Sequence, residues 1–124
     1  MYLKNLARAV QAVFYSKTLL SLLLNIDRLG NALTAGDYRA TVSARVGYHA
    51  QKLQPYWILL EWIIDQTFYP VDGRDHCNRA YHYEKAKGYK HRRGNDIALL
   101  LLSVVVILAC IILAPVVYLV GLAK

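Results

Sequence analysis

From Ile97 to Ala123 the chain carries no charged residue, a run of 27 positions broken in character only by Ser103, Pro115, Tyr118 and Gly121. Nothing else in the sequence limits its folding as much. At 1.5 Å per residue, about 20 apolar residues cross a hydrocarbon core of roughly 30 Å, so the run spans one with some tilt. A buried helix in a small soluble domain is not usually apolar on every side for so long. The run reads as a transmembrane helix. Gly94-Asn95-Asp96 marks its start, with Asn95 or Asp96 as the cap. Pro115 removes a backbone donor inside it, and Tyr118 suits the far interface.

The charge lies elsewhere. The chain has 124 residues, enough for one compact unit. Its net charge is +7, and the first 96 residues hold 14 of its 15 Lys and Arg and all 8 of its acids. A basic part joined to a neutral tail calls for an anionic partner, either lipid head groups or nucleic acid. Arg79, Lys85, Lys87, Lys90, Arg92 and Arg93 precede the apolar run, and only Lys124 follows it. The positive-inside rule then places the N-terminal part in the cytoplasm. Cys77 and Cys110, one in the polar part and one in the tail, imply no disulfide framework. Lys4 and Arg8 precede an apolar stretch broken by Gln11 and Lys17, which is not a signal peptide pattern.

Helical periodicity runs through the polar part. Tyr2–Leu29 repeats Leu6, Val10, Val13, Phe14, Leu20, Leu23 and Leu24 at helical spacing, and Gly30-Asn31 should end that helix. It is amphipathic, suited to a core face or a membrane interface. Thr34–Asp37 reads as a turn, and Thr41 as the cap of a short polar helix to about Lys52. Pro55 opens the next helix and Pro70 should close it. Asp72-Gly73 is a turn, and Asp72 or Asp75 should cap a helix reaching about Lys90, with an Asp75–Arg79 ion pair. The expectation is an all-α protein: three or four helices in a basic module over residues 1–95, then a membrane anchor over residues 96–124.

Catalytic patterns are weak. Glu61 and Asp65 share a helix face, but no nucleophile or third ligand is spaced to join them. His76, Cys77 and His82 are metal-ligand types, yet their separations of one, five and six put no pair cleanly on one face. No phosphate-binding glycine loop, HExxH, GxSxG or CxxC is present. The expectation is a non-enzymatic protein without a cofactor or metal. The stretch Arg79–Arg93 interleaves tyrosines with basic residues, which admits a membrane-tethered nucleic-acid-binding module as the alternative. Its position beside the apolar run favours anchoring to anionic lipid, with Tyr81, Tyr83 and Tyr89 at the interface. Ser103, Ala109, Ala114 and Gly121 are small enough to allow self-association of the anchor.

Asp27, Arg28, Leu29, Asn31, Ala32, Leu33, Gly36, Asp37, Thr41, Ser43 and Arg45, followed by Asp75-His76-Cys77, form a pattern over about Asn25–Glu84. It resembles a family of small uncharacterised proteins encoded by tailed bacteriophages and prophages. Tyr38 departs from the proline expected after Gly-Asp, and the apolar tail is not a feature of the short members. The resemblance implies a phage or prophage origin and a shared helical module, and transfers no activity. In this chain Asp27, Arg28, Asn31, Gly36, Asp37, Thr41, Ser43 and Arg45 would form a structural motif or a partner-binding site. Asp27 or Asp37 would pair with Arg39 or Arg45. With that origin, the expected setting is a bacterial inner membrane, crossed once, the N-terminus cytoplasmic. The expected partners are anionic lipid, a second copy of the anchor, and a host or phage protein.

Overall fold

The computed structural model describes residues 2–89, 91 and 94–122. Every regular element among them is helical: α1 (Tyr2–Phe14), α2 (Lys17–Leu33), α3 (Val42–Ala50), α4 (Pro55–Asp72), α5 (His76–Lys85) and α6 (Asp96–Gly121). The protein is all-α, and its final helix is long and apolar enough to cross a membrane.

The single helix expected over Tyr2–Leu29 is two helices, bent by 68° at Tyr15-Ser16. Ser16 has extended backbone and its hydroxyl accepts the Leu19 N–H, so it caps a new helix inside the leucine-rich run. Gly30-Asn31 does not end α2 either. The helix closes at Thr34, whose hydroxyl returns to the Gly30 carbonyl, and the Gly36 N–H closes on Asn31 O. α3 starts where expected, with the Thr41 hydroxyl accepting from Ala44 N–H at 3.2 Å. It is polar in sequence but central in place: eight of its nine residues are buried.

Pro55 stands in the first turn of α4, and Pro70 fails to stop that helix. A helical proline cannot donate to the carbonyl four residues back, here Gln66. The Tyr118 hydroxyl of α6 donates to that Gln66 carbonyl at 3.0 Å, which makes the interior proline tolerable. Tyr118 therefore answers a polar need in α4. The helix after Asp75 ends at Lys85, short of the expected Lys90, which lies outside the described residues.

α4 and α6 run parallel and side by side. The Tyr56 hydroxyl reaches the Leu99 carbonyl and Ser103, Tyr118 reaches Gln66, and Pro70 lies against Gly121. Ser103 and Gly121, read as small residues for self-association, thus let α4 approach. One core joins Val42 and Val46 of α3, Trp57, Leu60 and Ile64 of α4, Cys77 of α5, and Leu99, Leu102, Val106 and Cys110 of α6. A second places Phe14 of α1 against Val117 and Val120, with Leu23 and Phe68 beside them. The compositional boundary at residues 95 and 96 is crossed by the first core. Full burial of a side chain such as Leu102 contributes about 1.5–3 kcal/mol, so α6 is bound to the rest by several such terms.

Candidate functional site

The residues singled out between Asp27 and Arg45 converge where the end of α2 meets the start of α3. Asn31 is fully buried. Its amide donates to the carbonyls of Asp37 (2.9 Å) and Ala40 (3.1 Å), holding the loop between the helices. Its Oδ1 accepts from an Arg45 terminal nitrogen at 3.2 Å. Arg45 is also fully buried and donates to the Thr34 hydroxyl (3.0 Å) and the Thr34 carbonyl (2.9 Å). Its guanidinium lies over Trp57, which also carries the stacked ring of His49 and the edge-on ring of Tyr56. Burial lowers the Arg45 pKa to about 10, with Tyr56 acting weakly the other way. Gly36 is required by the packing. A Cβ there would stand 2.5 Å from Asn31 Oδ1.

Two carboxylates serve the start of α3. Glu84, buried at the end of α5, accepts from the Thr41 N–H (3.2 Å) and Thr41 hydroxyl (2.7 Å). Asp27 Oδ1 accepts from Val42 N–H at 2.7 Å. Free N–H groups at a helix start favour such acids. Asp27 lines an apolar cavity of about 360 Å³ shared with Phe14, Ile64, Phe68 and Val106. Burial raises its pKa to about 6, the Val42 hydrogen bond opposing and the Glu84 charge adding. Of the two acids offered as arginine partners, Asp27 faces a helix end. Asp37 does pair with Arg39, through contacts of 2.7 and 3.0 Å, while Arg45 takes neutral oxygens. Glu84 escaped sequence reasoning, because its partner Thr41 is 43 residues away.

Ser43 meets the His76 Nε2 at 3.2 Å, and the other ring nitrogen of His76 binds Asp72. Arg79 goes to Asp72 and the Arg74 carbonyl in place of Asp75. That places Arg79 with the last residue of α4, two positions beyond the proline against Gly121. The Lys87 ammonium lies 4.7 Å from the Tyr83 ring centre and 6.0 Å from that of Tyr89, and Lys85 lies 6.0 Å from that of Tyr81. Lys90, Arg92 and Arg93 lie outside the described residues. Asp75 holds a left-handed conformation without a side-chain cap bond. Asp65 instead accepts the Cys77 N–H at 2.9 Å. Its neighbour Glu61 has a raised pKa, from burial first and then from Asp65 and Asp75.

His76, Cys77 and His82 do not form a metal set. Among the described residues no three of His, Cys, Asp and Glu gather as one. Cys77 is fully buried, and burial pushes its thiol well above the usual range. Arg28 turns out of the motif into an open cleft with Asn25, Leu29, Tyr38, Arg39 and Tyr89.

The site therefore defines a class, an all-α protein whose buried polar joint locks two helices beside a long apolar one. Comparison with family models, with curated proteins and with solved structures found no match.

Proposed function

We propose that this chain is a non-enzymatic membrane protein of phage or prophage origin that acts on the bacterial envelope. The observation that carries the membrane part is the outer face of α6. From Ile97 (71% exposed) through Leu100, Leu101, Leu108 and Ile112 (70% exposed) to Leu122, it presents apolar side chains along its whole length. An exposed apolar surface this long marks a lipid or protein contact. The neighbouring helices extend it: Ile58, Leu59 and Trp62 of α4 and Ile26, Leu29 and Leu33 of α2 are also exposed. In this reading α6 crosses the inner membrane with α4 beside it at the same depth, from Tyr56 at Leu99 to Pro70 at Gly121, the segment just before α6 is cytoplasmic, and the buried Asn31–Arg45 joint keeps the helices rigid as the protein recruits a host or phage partner.

The phage setting rests on the resemblance of Asn25–Glu84. The role proposed in that setting is lysis, as a holin-like protein or accessory, or exclusion of superinfecting phage. Carbonate washing of bacterial membranes tests insertion: the full-length protein stays in the pellet, and release into the soluble fraction refutes the proposal. Inducible expression separates the two roles. Growth arrest with loss of membrane potential indicates lysis. Phage resistance without toxicity indicates exclusion.

A further inference from the structure

We propose that the cleft framed by Arg28, Asn25, Tyr38, Arg39 and Tyr89 binds a phosphate ester, with Arg28 as its principal cation. The first ground is Arg28 itself. Among the described residues it makes no ion pair and no hydrogen bond, and its Nε is shielded from solvent. A guanidinium without an acceptor is costly, and an anion in the cleft receives its terminal nitrogens, which no described residue takes. Arg45, fully buried, shows the contrast, since neutral oxygens of Asn31 and Thr34 receive its nitrogens.

The second ground is the frame. Arg39 is fixed by Asp37, which takes its Nε at 3.0 Å and one terminal nitrogen at 2.7 Å. Its guanidinium also lies 5.0 Å from the Tyr89 ring centre and 5.8 Å from that of Tyr38. The Arg39–Asp37 pair is neutral as a unit, so Arg28 is the cation of the lining that no lining acid balances; Asp27, outside the lining, acts on it electrostatically. The Asn25 amide and the two tyrosine hydroxyls add donors without adding charge. A guanidinium fork matches two phosphate oxygens at once.

Size and place complete the argument. The cleft holds about 440 Å³, more than a bare phosphate fills, with Leu29 and Ala32 to receive an attached alcohol. It sits at the end of the bundle where α6 begins. A Cβ built on Gly94, two residues before α6, would lie 3.4 Å from Ala35 and 3.3 Å from Arg45. If α6 spans the membrane, this is the level of the lipid head groups, and a glycerophosphate head group fits the cleft's chemistry. The source of the phosphate rests on the membrane reading, and the phosphate chemistry does not.

The test uses the full-length chain in two settings. In neutral detergent it is titrated with inorganic phosphate and with glycerol 3-phosphate. In phosphatidylcholine nanodiscs doped with phosphatidylglycerol, retained lipid is counted by native mass spectrometry. Wild type binds glycerol 3-phosphate and retains phosphatidylglycerol. Arg28→Gln weakens the first by about tenfold or more and abolishes the second. Arg28→Lys, which keeps the charge and loses the fork, retains part of both, and its helicity matches wild type. Binding of glycerol 3-phosphate without lipid retention assigns the site to a soluble phosphate ester. Absence of both, or an Arg28→Gln protein that is folded and binds as tightly as wild type, overturns the site. Carbonate extraction reports on the membrane reading separately.

Discussion

Replacing Asp27 by asparagine should make the protein more stable at neutral and alkaline pH, and leave it unchanged in acid. Asp27 holds the Val42 N–H through Oδ1 at 2.7 Å, and an amide oxygen can accept that same bond. What asparagine removes is the charge. Burial against the cavity between α2, α4 and α6 raises the Asp27 pKa from 3.8 to about 6. The folded state thus holds the proton more tightly than the unfolded chain. The corresponding stability is fully present below the unfolded pKa and is lost as pH rises through the folded one. A shift of about 2 units at 1.36 kcal/mol each makes that loss about 3 kcal/mol. Denaturant unfolding of wild type and Asp27→Asn in neutral detergent, followed by far-UV circular dichroism, reads the difference directly. The two should coincide near about pH 4, and the variant should lead by up to about 3 kcal/mol at about pH 8. Other titrating groups cancel in the comparison. A gap that is the same at both pH values, or a variant that is weaker at alkaline pH, refutes the reasoning.

Asn31→Ala removes two bonds to loop carbonyls and one to Arg45, and should cost about 3–5 kcal/mol in the same unfolding experiment; a loss under about 1 kcal/mol contradicts the joint. Tyr118→Phe leaves the Gln66 carbonyl, freed by Pro70, without its donor. It should cost about 1–3 kcal/mol and speed amide exchange in the last turns of α4, and unchanged exchange there would show that the proline is tolerated for another reason. Gly47→Ala would place a Cβ 2.3 Å from the Cys77 carbonyl oxygen, so α3 and α5 must part, at about 1–3 kcal/mol; a neutral result would mean that the two helices do not cross at that point.

Local signals were legible wherever one residue type settles a backbone problem. Asn95 caps α6 through the Ala98 N–H at 2.8 Å, Thr41 caps α3, and Pro55 opens α4, as their spacing predicts. The uninterrupted apolar run gives α6 its length directly. The misreadings share a different cause. Pro70 looks terminal until Tyr118, 48 positions later, is seen to satisfy the carbonyl it frees. Gly30-Asn31 looks like a helix end because Asn31 is common there, but here its side chain serves the loop and Arg45 from within the helix. Ser16 was hidden because leucines continue on both sides of the bend. The site followed the same division. The motif residues could be gathered by eye, yet which carboxylate met which partner depended on Glu84 and Val42, brought in by the crossing of α3 and α5.

The shared core has a consequence for the order in which the chain can finish folding. α6 is translated after every helix it packs against. Until Leu99, Leu102, Val106 and Cys110 emerge, Trp57, Leu60 and Ile64 lack the wall that closes over them. The nascent module must therefore wait, with its largest aromatic side chain uncovered, for the long apolar helix α6. The flank of α4 takes one side of α6 and leaves the other side exposed. Leu102, Val106 and Cys110 turn inward while Leu101, Leu108 and Ile112 turn out. Completion of the fold then waits on the last helix, and a chain truncated before Asn95 should not reach it.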